Sequence, residues 1–214
     1  IYDNRKNPFL KKNYIKKITS LSKQYNIDLV SLSCDYSMHY PLYSKDRFKT
    51  LKLIKKLIEV CIILKIPRIG LSFEDNSSIT NNDQLILAVK SLKSIMEYVK
   101  NKKIIVTLET NLNPLNVIKL IKLVGSQKLK INFDLGNACA NGEDSSESIL
   151  KLKNYIFSIH IKDRSLLFGK TVKLGKGDVN FKSCFKSLKK IKFSEYIVIQ
   201  GARGSNDIRT AKNY

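Results

Sequence analysis

The sequence lacks tryptophan, contains only two histidines and has no apolar run long enough to cross a membrane. A bilayer needs roughly 20 apolar residues, and Lys65 interrupts the longest candidate, residues 57–66. No glycine-rich G-x-G-x-x-G turn follows any predicted strand, which argues against a dinucleotide-binding fold. The four cysteines form no C-x-x-C pair, so we expect reduced thiols in a cytoplasmic protein.

The net charge of +21 invites the hypothesis of a polyanion partner. The basic residues, however, are 33 lysines and only 6 arginines, and proteins that read nucleic acid rely on arginine for bidentate contacts. Lysine, isoleucine and asparagine are all abundant, and all three are encoded by A/T-rich codons. The high lysine content is therefore explained by genome composition. We therefore favour a solvated lysine surface over a nucleic-acid site.

Short β-branched runs alternate with amphipathic helical patterns along the whole chain, which predicts βα units and a parallel sheet. Helices are predicted over residues 13–25, 114–124 and 145–152, and around 54–61, 85–99 and 181–188. Strands are predicted at residues 27–34, 68–73, 104–109, 129–134, 156–162 and 196–200. No linker or shift in composition divides the chain, so residues 1–214 are expected to form one domain.

A (β/α)8 TIM barrel is the expected architecture, with an open doubly wound sheet as the alternative. Six strands are visible where a barrel needs eight, and Ile1 and Tyr2 resemble the end of another strand. We therefore expect an incomplete barrel that lacks the first βα unit and most of the second strand.

Polar residues able to bind a metal occur at the carboxyl ends of four successive strands: Glu109, Asp134, His160 and Gln200. Strand alternation places each on the face opposite the apolar residues that would pack against outer helices. In a barrel, that face and that end form the active site. Two carboxylates, an imidazole and an amide oxygen suit Mn²⁺, Mg²⁺, Co²⁺ or Zn²⁺.

The strand-end motifs, taken in order, resemble those of the sugar phosphate isomerase/epimerase family of the xylose isomerase-like TIM barrel superfamily. The resemblance covers essentially the whole chain. Its motifs are SLSCDYSMHYPL (residues 31–42), LET, NFDLGNA, HIKDR, LGKGDVNF and IQGAR.

The resemblance implies that Glu109, Asp134, His160 and Gln200 are the metal ligands. It also implies proton abstraction next to a carbonyl through a metal-stabilised ene-diolate, with Glu109 as the base. The expected partner is a small sugar or sugar phosphate, with no membrane; self-association into a homo-oligomer is left open.

Seven further residues are candidates for substrate contacts. The resemblance places Asn137, Lys162, Asp163 and Arg164 at the pocket, and Arg203 follows the last strand, where barrels often bind phosphate. Asp35 and Glu74 follow earlier strands, and Glu74 or Asp163 could act as a second acid.

Gln200 departs from the family pattern, because the two-base epimerases carry a glutamate there. Glutamine can offer an oxygen to a metal but cannot exchange protons at neutral pH. A one-base isomerase, a dehydratase-type lyase and a non-catalytic sugar-binding barrel therefore remain open. An endonuclease IV-like repair enzyme is disfavoured, because its metal cluster needs more histidines than the two present.

Overall fold

The computed structural model describes residues 7–167, 169–201 and 204–212. Short 3₁₀ turns occupy Pro8–Leu10 and Asp75–Ser77. The helices are α1 (Lys12–Tyr25), α2 (Tyr36–His39), α3 (Arg47–Ile63), α4 (Asn82–Val99), α5 (Pro114–Val124), α6 (Leu135–Ala140), α7 (Ser145–Leu152), α8 (Phe181–Lys190) and α9 (Asp207–Lys212). The strands are β1 (Leu32–Cys34), β2 (Arg68–Phe73), β3 (Ile105–Thr110), β4 (Leu129–Asp134), β5 (Ile156–Ile161), β6 (Asp163–Arg164), β7 (Thr171–Val172) and β8 (Tyr196–Ile199).

Six of these strands form one sheet in the order β1-β2-β3-β4-β5-β8, and β6 and β7 form a separate antiparallel pair. The neighbours β1–β2, β2–β3, β4–β5 and β5–β8 are parallel. Helices separate the consecutive strands of the large sheet, which confirms the predicted α/β class with six barrel strands. Among the described residues, no helix combines the length and hydropathy needed to span a bilayer.

The chain divides into two compact units. The first runs to Thr110 and includes Lys119–Lys130, and the second comprises Asn111–Ile118 and the chain from Ile131 onwards. In the first unit, buried residues of α3 and α4 and of strands β2 and β3 form the core, with Ile54, Ile58, Leu92 and Ile95 fully buried. The prediction of a single domain over residues 1–214 stays a prediction.

Local signals explain where the helices begin. The side chain of Asn113 accepts a hydrogen bond from the Asn116 N–H at 3.0 Å, and Pro114 starts α5. The carboxylate of Asp144 accepts from the first N–H groups of α7 in the same way. Both helices have the bounds predicted from the sequence.

Within each unit, strand register sets polar residues near the strand ends opposite each other. Ser72 in β2 lies opposite Glu109 in β3, and Asp134 in β4 lies opposite His160 in β5. His160 is in turn paired with Val198 in β8. Each unit therefore carries its polar strand-end residues at the carboxyl edge of its strands, as predicted.

Two expectations were wrong. The first strand covers only Leu32–Cys34, because the N–H of Ile27 bonds to Ser22 O and closes α1 instead of pairing with a strand. The outward side chains of β8 were expected to pack under helices, but Ile197 and Ile199 are 47% and 62% exposed. The predicted strand end at Ile1 and Tyr2 lies outside the described residues.

Candidate metal centre

Asp134 and His160 lie opposite each other at the carboxyl ends of β4 and β5, both in the second unit. Glu109 lies at the carboxyl end of β3 in the first unit. Glu109 and His160 are half-buried and Asp134 is buried. The second unit thus brings together two of the four predicted ligands, Asp134 and His160. The binding of a metal by Glu109, Asp134, His160 and Gln200 stays a prediction.

Asp134 uses its two carboxylate oxygens differently. Its Oδ1 accepts a hydrogen bond from the Asn137 N–H at 2.8 Å and so caps the amino end of α6. Its Oδ2 lies 3.6 Å from Lys162 Nζ and 3.9 Å from His160 Nδ1. This buried atom has no hydrogen-bond partner within the described part of the chain. A buried anionic oxygen without a donor is costly, and a cation would compensate it.

His160 is oriented by a chain of polar side chains on β4 and β5. Ser158 Oγ donates to Asn132 Oδ1 at 2.5 Å, which turns the amide nitrogen of Asn132 towards the imidazole. That nitrogen lies 3.2 Å from Nδ1 and 3.1 Å from Nε2 of His160. The contact holds the imidazole ring in a fixed position beside β4.

The roles of Asn132 and Ser158 were not predicted. Both side chains are buried, and both share the strand face of the proposed ligands. The sequence signal was their position two residues before Asp134 and His160, which in a strand means the same face. Ordered partners of this kind commonly fix metal-binding histidines.

Two cationic side chains converge on Asn137. Its Oδ1 accepts from Lys162 Nζ at 3.0 Å and from Arg164 Nη1 at 2.9 Å. Gly136 permits this approach, because a Cβ there would lie 2.9 Å from the carbonyl oxygen of Lys162. Three of the predicted substrate-contact residues therefore occupy one place beside Asp134.

Asp163 has a different environment from its neighbours. It is fully buried, and its Oδ2 accepts from the N–H groups of Gly175 at 2.8 Å and Gly177 at 2.9 Å. Its Oδ1 accepts from the Val179 N–H at 3.3 Å. The observed role of Asp163 is to hold the segment 175–179. Its predicted contact with substrate and its use as a second acid stay predictions.

The remaining candidates are dispersed. Asp35 is exposed and accepts from Ser33 Oγ at 2.8 Å, and Glu74 is half-buried directly after β2. Gln200 follows β8 with an exposed side chain, and its N–H donates to Ile161 O at 2.9 Å. Arg203 lies outside the described residues. The parts played by these four residues stay predictions.

All four cysteines are free and buried, as expected for reduced thiols. Burial raises the pKa of Cys34 and Cys61 to about 12 and that of Cys184 to about 11. Burial also raises the pKa of Cys139, whose Sγ lies 3.9 Å from Arg164 O. Neutral thiols are poor metal ligands, so the candidate centre is one of oxygen and nitrogen donors.

Comparisons with known proteins agree with this architecture. An uncharacterised protein of Methanocaldococcus jannaschii is 24% identical over 215 residues, which are 90% of this chain and 70% of that protein. A xylose isomerase domain protein from Planctomyces limnophilus superposes with a TM-score of 0.84 at 19% identity, covering 97% of this chain and 81% of that one.

Two further crystal structures share the fold. A D-tagatose 3-epimerase-like protein gives a TM-score of 0.79 at 22% identity, covering 95% of this chain and 82% of that one. The "probable 3-DHS dehydratase AsbF" from Bacillus anthracis gives 0.72 at 18% identity, with 94% and 80% covered. The model of the xylose isomerase-like TIM barrel family matches residues 2–212. This chain, with its parallel strands and polar strand ends, therefore belongs to the xylose isomerase-like TIM barrel family.

Proposed function

We propose that this protein is a divalent-metal-dependent isomerase or epimerase acting on a small sugar or sugar phosphate. The observation that carries the proposal is the position of Glu109, Asp134 and His160 at the carboxyl ends of strands in this family's fold. Membership of a family whose structural neighbours include a 3-epimerase-like protein supports it.

The donor set fits a cation of the Mn²⁺, Mg²⁺, Co²⁺ or Zn²⁺ type, because it combines carboxylate oxygens with an imidazole nitrogen. Glu109, Asp134 and His160 would hold the ion, and we assign Gln200 as a fourth ligand through its amide oxygen. The buried Oδ2 of Asp134, which accepts no hydrogen bond within the described residues, supports a cation at this place. When bound, the ion would stabilise negative charge that develops on substrate oxygens.

Glu109 is the proposed base. Its carboxylate would take the proton from the carbon beside the substrate carbonyl, and the C–H electron pair would form an ene-diolate. The proton of the adjacent hydroxyl would pass to the former carbonyl oxygen, and the protonated Glu109 would return its proton to the former carbonyl carbon, which completes an isomerisation. Asn132 and Ser158 would keep the imidazole of His160 fixed in orientation throughout this exchange.

Lys162 and Arg164 are proposed to bind the polar end of the substrate. Both already point at one oxygen, Asn137 Oδ1, so a substrate oxyanion could replace that acceptor without moving either cation far. We further propose Asp35, Glu74 and Arg203 as outer contacts, with Arg203 suited to a phosphate.

A lyase of the dehydratase kind is the second candidate. The specific observation in its favour is Gln200, since elimination needs no acid on the last strand to reprotonate the opposite face of the carbon. A dehydratase is also among the proteins of similar fold.

The test combines metal titration with proton exchange. We expect calorimetry with Mn²⁺ to show one strong site, and NMR in D₂O to show loss of the C–H signal beside the carbonyl in at least one ketose or ketose phosphate. Glu109→Gln should abolish exchange but retain the fold, whereas Glu97→Gln, an exposed residue on α4, should change neither.

Different failures have different meanings. Absence of metal binding together with absence of exchange would refute the proposal. Metal and sugar binding without exchange would identify a non-catalytic sugar-binding barrel, and loss of water from the substrate would identify the lyase.

A further inference from the structure

A groove with an estimated volume of about 510 Å³ runs between α3 and α4, both in the first unit. Phe48, Lys52 and Lys55 line it from α3 at spacings of four and three residues, which places them on one helical face. Lys90 lines it from α4, and the buried Leu51 forms part of the floor. None of these residues belongs to the candidate metal centre.

The groove displays an aromatic side chain to solvent. Phe48 is 66% exposed, and the guanidinium of Arg47 lies 4.3 Å from the centre of its ring. Exposed single apolar residues are ordinary on protein surfaces. Here, however, the ring belongs to a concave surface with an apolar floor, which is the shape that accepts a side chain from a partner.

Positive charge is concentrated around the same groove. Residues 45–57 contain six lysines or arginines and a single acid, Asp46, which is already paired with Lys49 at 2.8 Å. Residues 84–96 of α4 contain two lysines and no acid. Within the described chain, Lys52 and Lys90 form no salt bridge. The rims therefore carry cations that no acid of the groove neutralises.

We propose that this groove is a docking site for an acidic amphipathic helix of a partner protein. The apolar residues of such a helix would lie against Phe48 and Leu51, and its carboxylates would meet the lysines on both rims. The apolar floor and the predominance of lysine over arginine favour a peptide over nucleic acid, whose recognition relies on bidentate arginine contacts.

The experiment uses the full chain and a synthetic 18-residue helical peptide. The peptide carries leucine at positions i, i+3, i+4 and i+7, and glutamate on both sides of this leucine face. A scrambled peptide of the same composition is the first control. Fluorescence anisotropy should show binding of the amphipathic peptide only, weakening as salt is raised because the rim charges are exposed.

Variants locate the site. Lys52→Glu with Lys90→Glu, and separately Phe48→Ala, should each weaken binding about tenfold or more, which corresponds to about 1.4 kcal/mol. Lys182→Glu with Lys186→Glu, the same double charge change on the exposed face of α8, should leave binding unchanged, and thermal melts verify that each variant is folded.

Three outcomes would overturn the proposal: no binding of the amphipathic peptide, equal binding of the scrambled peptide, or equal binding by the groove variants. Displacement of the peptide by an oligothymidine, with the same dependence on Lys52 and Lys90, would identify a nucleic-acid surface instead.

Discussion

Replacing Asp163 by asparagine is a conservative change, but we expect it to lower the free energy of unfolding strongly. The Asp163 carboxylate is fully buried and accepts three backbone N–H groups, from Gly175, Gly177 and Val179. Asparagine keeps one acceptor oxygen and turns an amide N–H₂ towards a backbone donor. Losing a hydrogen bond to a charged group costs about 1.5–3 kcal/mol. The backbone N–H that then faces the amide N–H₂ is buried without an acceptor, which adds about 1–3 kcal/mol. We expect a total loss of about 3–5 kcal/mol.

Asp178→Asn is the matched control. Asp178 is exposed and accepts from a single backbone group, the Leu166 N–H at 2.8 Å, so the same substitution should cost about 1 kcal/mol or less. Urea unfolding followed by circular dichroism at neutral pH gives both values. Limited proteolysis should also cut the segment 175–179 faster in the Asp163 variant.

A third variant probes the same contact from the opposite side. A Cβ at Gly177 would meet Asp163 Oδ1 and lie 2.7 Å from Arg164 O, so Gly177→Ala should destabilise the protein comparably. The reasoning is refuted if Asp163→Asn and Asp178→Asn are equally stable. It is also refuted if Asp163→Asn lowers only the affinity for substrate.

Three further predictions follow from the candidate centre and the core. Asp134→Asn keeps an oxygen to cap α6, so it should fold normally but lose the rise in Tm that Mn²⁺ gives the wild type. Ser158→Ala frees the Asn132 amide and should weaken Mn²⁺ binding by about tenfold or more in calorimetry, without altering the fold. Burial holds the thiol pKa of Cys34 and Cys61 near 12 in the folded chain, above the ordinary 9.0. The unfolded chain thus loses these protons first, and stability should fall above pH 9, by about 1.4 kcal/mol per thiol at pH 10. Urea unfolding at both pH values tests this, and Cys61→Ala should reduce the slope.

Strongly periodic segments could be predicted from the sequence because their signals are local. Strands Arg68–Phe73 and Leu129–Asp134 and helix Pro114–Val124 have the predicted bounds. The strand predicted at 27–34 was too long, because Asn26 adopts a left-handed conformation and the chain there completes the end of α1. A run of β-branched residues does not show whether one of its N–H groups, here that of Ile27, is already hydrogen-bonded to the preceding helix.

The candidate centre could be predicted only in part. Strand phase placed Glu109, Asp134 and His160 at the carboxyl ends of their strands, and in the second unit the parallel pairing of β4 and β5 sets Asp134 opposite His160. The short helix α6 and the β6–β7 pair escaped prediction, since six and two residues carry no measurable periodicity. Without them, neither the capping by Asp134 nor the burial of Asp163 could be foreseen.

The double use of Asp134 has a kinetic consequence. The same side chain begins α6 and offers an oxygen to the candidate centre, and every residue of α6 is buried. Opening of that first helical turn and departure of a bound ion would therefore be one coupled event. Dissociation of the ion would be slow and strongly temperature-dependent. Substitutions that destabilise α6 would therefore raise the dissociation rate of the ion.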